Sequence, residues 1–420
     1  MFYEKSGLTA SVQRRRESIG PEEGAALGFL CAGGKLLDPP GTRPALSSLP
    51  EGCSAEAAFF AGGGCALYGA GGVYARAAEG AFSLSEVTFS RVPACARGYS
   101  GGEVLALSDG ASSALLSSSG LTAEEGIPPF DAAAFFGDRL WAAKGMRLSY
   151  SAPDDACDFA QERGRGGYID VPSALGEIVG LAAGREELFV LRERGVQRLT
   201  GRGEERKFAV EDVCSSARIF GASAAFDGGR LLWLAEDGPH AYGGADIFGS
   251  AAALFAGVPQ RAPRGVCMGG WYALQADVRI ENETIPVLAL FGEGGTCLLP
   301  AACTGLNASG GELCFCAGGQ PLELSGAPER GEFRRAWSRA AEAPYGCRCT
   351  LKEIRIRCRG ALEVRAESEE GSRTFRIAGD GRMQALRTAL PGRAFCFSVR
   401  TRSPAQVYCM EAMYERGSIR

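Results

Sequence analysis

The chain has 420 residues, 46% of them apolar, which suffices to bury a large core and argues against disorder. Its net charge of −4 points to neither nucleic acid nor membrane for the whole chain, yet residues 331–420 hold 18 Arg or Lys against 10 Asp or Glu, net +8, leaving net −12 for residues 1–330. Met1-Phe2-Tyr3-Glu4-Lys5 opens no secretory leader, and no apolar run approaches the roughly 20 residues of a membrane span. The 16 cysteines are then expected as free buried thiols rather than disulfides.

Near the N-terminus, Arg14, Arg15 and Arg16 form one compact basic run, expected as a solvated arm and alternatively as a phosphate contact. From residue 51 a short β-like phrase recurs. An apolar run meets a Gly or Asp turn, a second apolar run follows, then Gly and a third short run. It reads Ala57-Ala58-Phe59-Phe60-Ala61-Gly62 to Ala66-Leu67-Tyr68 and Gly71-Gly72-Val73-Tyr74. The clearest copy runs from Ile178-Val179-Gly180-Leu181 through Leu188-Phe189-Val190-Leu191 to Gly195-Val196-Gln197-Arg198-Leu199.

Copies start near residues 57, 93, 132, 178, 221, 266 and 303, at spacings close to the roughly 40 to 50 residues of a propeller blade. Sixty glycines and the scarcity of long 3.6-residue patterns exclude a mainly helical chain. The expected fold is all-β, a six- or seven-bladed β-propeller in which stacking of successive sheets supplies the core. A β-solenoid or two packed sandwiches are the competing architectures.

Beyond residue 331 the texture becomes clean alternation. Ile354, Ile356 and Cys358 alternate with Arg355, Arg357 and Arg359, and Leu362 and Val364, Phe375 and Ile377, Phe395, Phe397 and Val399, Val407 and Cys409 continue it. This predicts a small jelly-roll-like β-sandwich with arginines on its outer face. The expected organisation is an N-terminal arm and first strands (1–50), a propeller (51–330) and a basic sandwich (331–420).

No complete catalytic set is visible. The single histidine, His240, stands in the turn-like Glu236-Asp237-Gly238-Pro239-His240 and lacks a partner network. Cys314-Phe315-Cys316 and Cys347-Arg348-Cys349 together would offer four thiolates to zinc, but a one-residue spacing suits buried strand cysteines better. Asp154, Asp155 and Asp158 follow Ala152-Pro153. They are the carboxylates a glycan-cleaving propeller or a calcium site would use, though an exposed blade-to-blade loop fits them better. Asn282-Glu283-Thr284 and Asn307-Ala308-Ser309 match the glycosylation sequon by chance. No catalytic, cofactor or metal residue is assigned, and no enzyme activity is expected.

Several segments resemble the propeller-bearing virion proteins of tailed bacteriophages, the packaged-DNA stabilisation, head-closure and tail nozzle group. These are Ile19-Gly20-Pro21-Glu22-Glu23-Gly24-Ala25 with Gly34-Lys35-Leu36-Leu37-Asp38-Pro39-Pro40-Gly41, and Phe136-Gly137-Asp138-Arg139-Leu140-Trp141 through Leu148-Ser149-Tyr150-Ser151. Tyr168-Ile169-Asp170-Val171-Pro172 and the blade from Gly176 to Val196, with its charged turn Arg192-Glu193-Arg194, are similar to that group as well. From Trp337-Ser338 onward the chain resembles the sandwich appended to such propellers. The cysteine content and the small, alanine-rich strands depart from the group.

The resemblance implies a neck or tail component made in the host cytoplasm. It would assemble as a ring with copies of itself and contact other virion proteins without catalysis. The basic C-terminal part then either pairs with acidic surfaces or faces packaged DNA. The alternative function is a carbohydrate-binding or glycan-cleaving propeller.

Overall fold

A computed structural model describes residues 13–19, 25–161, 165–201, 207–280, 282–328, 335–344 and 347–416. The described residues are overwhelmingly in strands, as the glycine content and short apolar runs require. They fall into two compact units. One comprises Pro40–Phe248 and Ala252–Ala327; the other comprises Met1–Pro39, Gly249–Ala251 and Pro328–Arg420.

In the first unit, six small antiparallel sheets stand separately as the blades of a β-propeller. The first holds Ala55–Ala61, Gly64–Gly69, Gly72–Arg76 and Ser83–Leu84; the second Ala94–Tyr99, Glu103–Ser108, Ser113–Ser117 and Gly120–Ala123. The third holds Ala132–Phe136, Arg139–Lys144, Arg147–Tyr150 and Gly167–Asp170; the fourth Ile178–Ala183, Glu187–Arg192, Gly195–Thr200 and Ala209–Ser215. The fifth has three strands, Ile219–Phe226, Leu231–Ala235 and Gly238–Tyr242. The sixth combines Cys303–Asn307, Cys314–Ala317 and Gln320–Pro328 with Pro40–Pro44 from far earlier in the chain. Between the fifth and sixth in sequence runs another antiparallel meander, Arg264–Met268, Trp271–Ile280, Glu283–Gly292 and Gly295–Leu299.

Each expected repeat start falls within, or one residue before, the first strand of one of these sheets or of the meander. Of the outermost strands, Gly120–Ala123 and Ala209–Ser215 were not expected, since they carry no apolar run, whereas Gly167–Asp170 coincides with the segment Tyr168-Ile169-Asp170.

The second strand of a blade is buried on both faces, which is why it reads as an unbroken apolar run. Alternation along Leu188-Phe189-Val190-Leu191 sends Leu188 and Val190 toward Trp141, Leu148 and Tyr150 of the third sheet. Phe189 and Leu191 go toward Ile219, Leu231 and Trp233 of the fifth. Further clusters join the first sheet to the second and the second to the third, while Cys65 and Leu67 of the first sheet pack with Cys314 and Cys316 of the sixth.

The innermost strands are alanine- and glycine-rich because their backbones converge. A Cβ added at Gly221 would stand 1.7 Å from the carbonyl oxygen of Val179, and one at Gly180 2.5 Å from that of Gly221.

Two buried arginines tie the propeller together. Arg192, expected in a charged turn, is fully buried. Its Nε donates to Gln197 at 2.7 Å and its Nη atoms to the carbonyls of Gly176, at 3.2 Å, and Val171. Arg139 donates to the carbonyls of Ser151, at 2.5 Å, and Arg165. Burial pulls both guanidinium groups below their ordinary pKa.

In the second unit the 20-residue strand Cys349–Ser368 is the spine. Gly371–Gly392 pairs along its length, Gln406–Arg416 along its first half and Ala394–Thr401 along its second. Arg335–Glu342 adds to Ala394–Thr401 and Ala25–Leu27 to Arg335–Glu342, while Gln13–Ser18 pairs with Gln406–Arg416. These strands form one continuous hydrogen-bonded network rather than two separate sheets.

Ile354, Ile356, Cys358, Leu362, Val364, Phe395, Phe397, Val399 and Val407 are buried as the alternation predicts, and Arg357 and Arg359 are exposed. Phe375 and Ile377 are only half-buried. Cys409 departs from the pattern. Arg357 faces Cys409 but Cys358 faces Val407, so Tyr408 is an extra residue and the buried phase passes to Met410, Ala412 and Tyr414. Asp38 binds the fully buried Arg335 and, at 2.9 Å, the amide of Gln406.

Candidate functional site

The first strands of the propeller sheets surround a channel of about 1050 Å³. Its wall is mostly Ala, Gly, Val and Leu, into which a few charged residues intrude. Arg91 pairs with Asp131, and its Nε donates to the carbonyl of Asp109 at 2.9 Å. Arg97 donates to the carbonyl of Ala308 at 2.9 Å. Arg264 donates to the carbonyls of Val92 and Pro93 at 2.9 and 3.2 Å. Burial holds its guanidinium below the ordinary value, the positive charge of Arg91 adds to the effect, and Cys95 opposes it.

Asp277, 3% exposed, accepts from the backbone N–H of Arg261 at 3.1 Å. Asn307 donates to the carbonyls of Ala58 and Gly305 at 2.9 and 2.8 Å and accepts from the N–H and hydroxyl of Ser309. Ser309 Oγ in turn accepts from the N–H of Phe60 at 3.0 Å. Most of the charged and amide groups of the channel thus fasten inner strands and loops to one another, and Glu56 and Arg261 also line it.

Asp109 accepts five bonds, from the N–H and hydroxyl of Ser90 at 2.7 and 2.8 Å, from the N–H groups of Ala111 and Ser112 at 3.0 and 2.9 Å, and from the hydroxyl of Ser112 at 3.3 Å. Burial would raise its pKa, but these donors outweigh it and hold the carboxyl well below the usual carboxylate range.

The residues singled out from the sequence mostly lie elsewhere. Asp154, Asp155 and Asp158 occupy a loop inside the third sheet, between its third and fourth strands, not between blades as expected. Asp155 accepts from the hydroxyl of Ser100 at 3.2 Å and the N–H of Cys157 at 3.1 Å. Asp158 caps the N–H of Ala160 at 3.1 Å and pairs with Arg165 at 3.3 Å. None of the three lines the channel.

His240 stacks on Trp233, with ring centroids 5.3 Å apart and planes 9° apart, and shares a 2.7 Å hydrogen bond with Asp237. Arg14, Arg15 and Arg16 lie on a paired strand rather than a free arm. Arg14 and Arg16 face Glu415 and Glu411 at 3.7 and 3.5 Å. Of the two sequons, Asn282 sits at a hairpin turn with φ +68° and Asn307 is 4% exposed.

Cys314 and Cys316 belong to the propeller unit and Cys347 and Cys349 to the other. Among the described residues no group of three or more His, Cys, Asp or Glu side chains is placed to hold a metal ion. Burial pushes Cys65, Cys267, Cys303 and Cys316 up to about 12, which leaves them as neutral thiols near pH 7. Among the described residues no helix is long and apolar enough to cross a membrane.

No protein-family profile matches the chain, and no curated protein matches it. Among solved structures it is similar to BamB from Moraxella catarrhalis, at 12% identity over 68% of this chain and 98% of that one, with a TM-score of 0.39. The N-terminal domain of Nup159 gives 11% identity over 74% and 97%, with a TM-score of 0.40. The gluconolactonase XC5397 from Xanthomonas campestris gives 12% over 73% and 99%, with a TM-score of 0.35. Likeness at this level carries no inference about function.

Proposed function

We propose that the protein is a non-catalytic structural component of a tailed-phage neck or tail, a ring-forming connector that binds copies of itself and other virion proteins. The observation that supports the non-catalytic part is the channel, where five of the seven charged lining residues, Arg91, Arg97, Arg264, Asp131 and Asp277, are engaged by the propeller's own groups. An active site needs groups free to meet a substrate, and these are used to hold strands. The phage assignment rests on the sequence resemblance.

On this reading the meander Arg264–Leu299 is a seventh blade. Its support is the four-strand count it shares with five of the six other sheets and the start of its first strand at the expected repeat position. The C-terminal unit is read as a sandwich whose layers share one bent strand, supported by the register shift near Arg357 and Arg359, the φ of +87° at Gly360, and a single core. Its arginine-bearing face offers phosphate contacts to packaged DNA.

Electron microscopy of the purified protein and of virion fractions tests the proposal. Rings in the first and the protein in the second are expected; a monodisperse monomer absent from particles would overturn it. The carbohydrate reading predicts glycan hydrolysis that falls in Asp155→Ala and Asp158→Ala, and those carboxylates serve as turn caps instead.

A further inference from the structure

Two of the 16 cysteines share one hydrogen-bond acceptor. Cys347 and Cys349 bracket Arg348 at the start of the Cys349–Ser368 strand. Cys349 is 3% exposed, and Cys347, half-buried, gives the pair a side open to solvent. Both thiols converge on one acceptor, the carbonyl oxygen of Pro344, with Sγ of Cys347 at 3.8 Å and Sγ of Cys349 at 3.6 Å. Arg348 is engaged elsewhere, bidentate on Glu370 at 2.7 and 2.5 Å.

Two sulfurs drawn to one carbonyl oxygen at the start of a strand, one of them open to solvent, can be reached and bridged by a single cation. Zinc wants four ligands, and among the described residues no third His, Cys, Asp or Glu joins these two in a metal-holding group. Soft monovalent ions favour thiolates and accept fewer of them. A disulfide would need an oxidant and Cα atoms within about 4.4–6.8 Å, whereas an ion needs only convergent sulfurs.

We propose that Cys347 and Cys349 form a two-sulfur site for a soft monovalent cation of the copper(I) class. On binding, each S–H bond breaks, the two protons go to solvent and two copper–sulfur bonds form. The resulting centre carries one net negative charge, which the nearby Arg416 opposes.

The test is an anaerobic titration of the reduced, full-length protein with copper(I) held by a competing chromogenic chelator. Cys347→Ser, Cys349→Ser and, as control, Cys396→Ser at an exposed position are compared with it. The expected result is one tight equivalent in the parent protein and in Cys396→Ser, with binding at least tenfold weaker in both other variants. Bound copper should also protect Cys347 from alkylation, read by peptide mass mapping. Cys349→Ser alters a buried position, so Cys347→Ser is the deciding variant. Parent-like affinity in Cys347→Ser, or equal weakening in Cys396→Ser, would overturn the site.

Discussion

The propeller unit and the C-terminal unit are both built from strands, yet they bury them in opposite ways. In the propeller a central strand such as Glu187–Arg192 is covered on both faces, so adjacent residues are equally buried and the sequence is a solid apolar run. In the C-terminal unit the Cys349–Ser368 strand has one covered face, and Ile354, Ile356 and Cys358 alternate with arginines. Packing against sheets on either side and packing against one core leave different signatures in chains of the same class.

The largest effect expected lies at a point the alternation does not reveal. Asp38→Ala removes the Asp38 carboxylate from the fully buried Arg335 and should cost about 3–5 kcal/mol, read from the urea midpoint. If Asp38→Ala unfolds like the parent, the ion pair is not what holds these segments.

Adjacent pairs then break or sharpen the comparison directly. Leu188→Ala and Phe189→Ala should each cost about 2–5 kcal/mol, since the two side chains fill clusters on opposite faces. Ile356→Ala should cost as much, whereas Arg357→Ala should stay within about 0.5 kcal/mol. Equal losses at Ile356 and Arg357 would erase the contrast.

Asp109→Ala should cost about 1–3 kcal/mol by leaving the donors of Ser90, Ala111 and Ser112 unmet. Because the folded carboxyl is held below its unfolded value, its contribution is complete above the ordinary carboxylate pKa and fades as the pH falls through the folded one. Asp109→Asn should therefore flatten the acid side of the stability profile below about pH 4. The smallest effect is expected at Arg14→Ala. Its exposed pair with Glu415 at 3.7 Å should contribute no more than about 1 kcal/mol, screened by salt.

What the sequence revealed follows from the same contrast. Repeat starts were legible because most first and second strands are apolar and followed within a few residues by glycine. An outermost strand such as Ala209–Ser215 was not, since it carries Glu211 and Asp212 and pairs along one edge only. Burial of Arg192 was illegible because an arginine in Leu191-Arg192-Glu193-Arg194 reads as surface, and its carbonyl partners lie in other segments. The phase change at Tyr408 depends on pairing register, which no local pattern encodes. The channel was missed for a related reason. Its wall is alanine and glycine, and its arginines bond to carbonyls, which leave no motif.

The sixth sheet is made from both ends of the propeller's stretch of chain, with Pro40–Pro44 lying beside Gln320–Pro328, Ala45 donating to the Pro321 carbonyl at 2.9 Å and Arg43 pairing with Glu323 at 3.0 Å. During synthesis the ring therefore has no closed form until a ribosome has passed the last of these residues. Until then the earlier sheets wait with an open flank, prone to join the wrong neighbour. Closing so long a loop is entropically costly but grows only logarithmically with its length, so once the final strand emerges the clasp can form in one late, cooperative event.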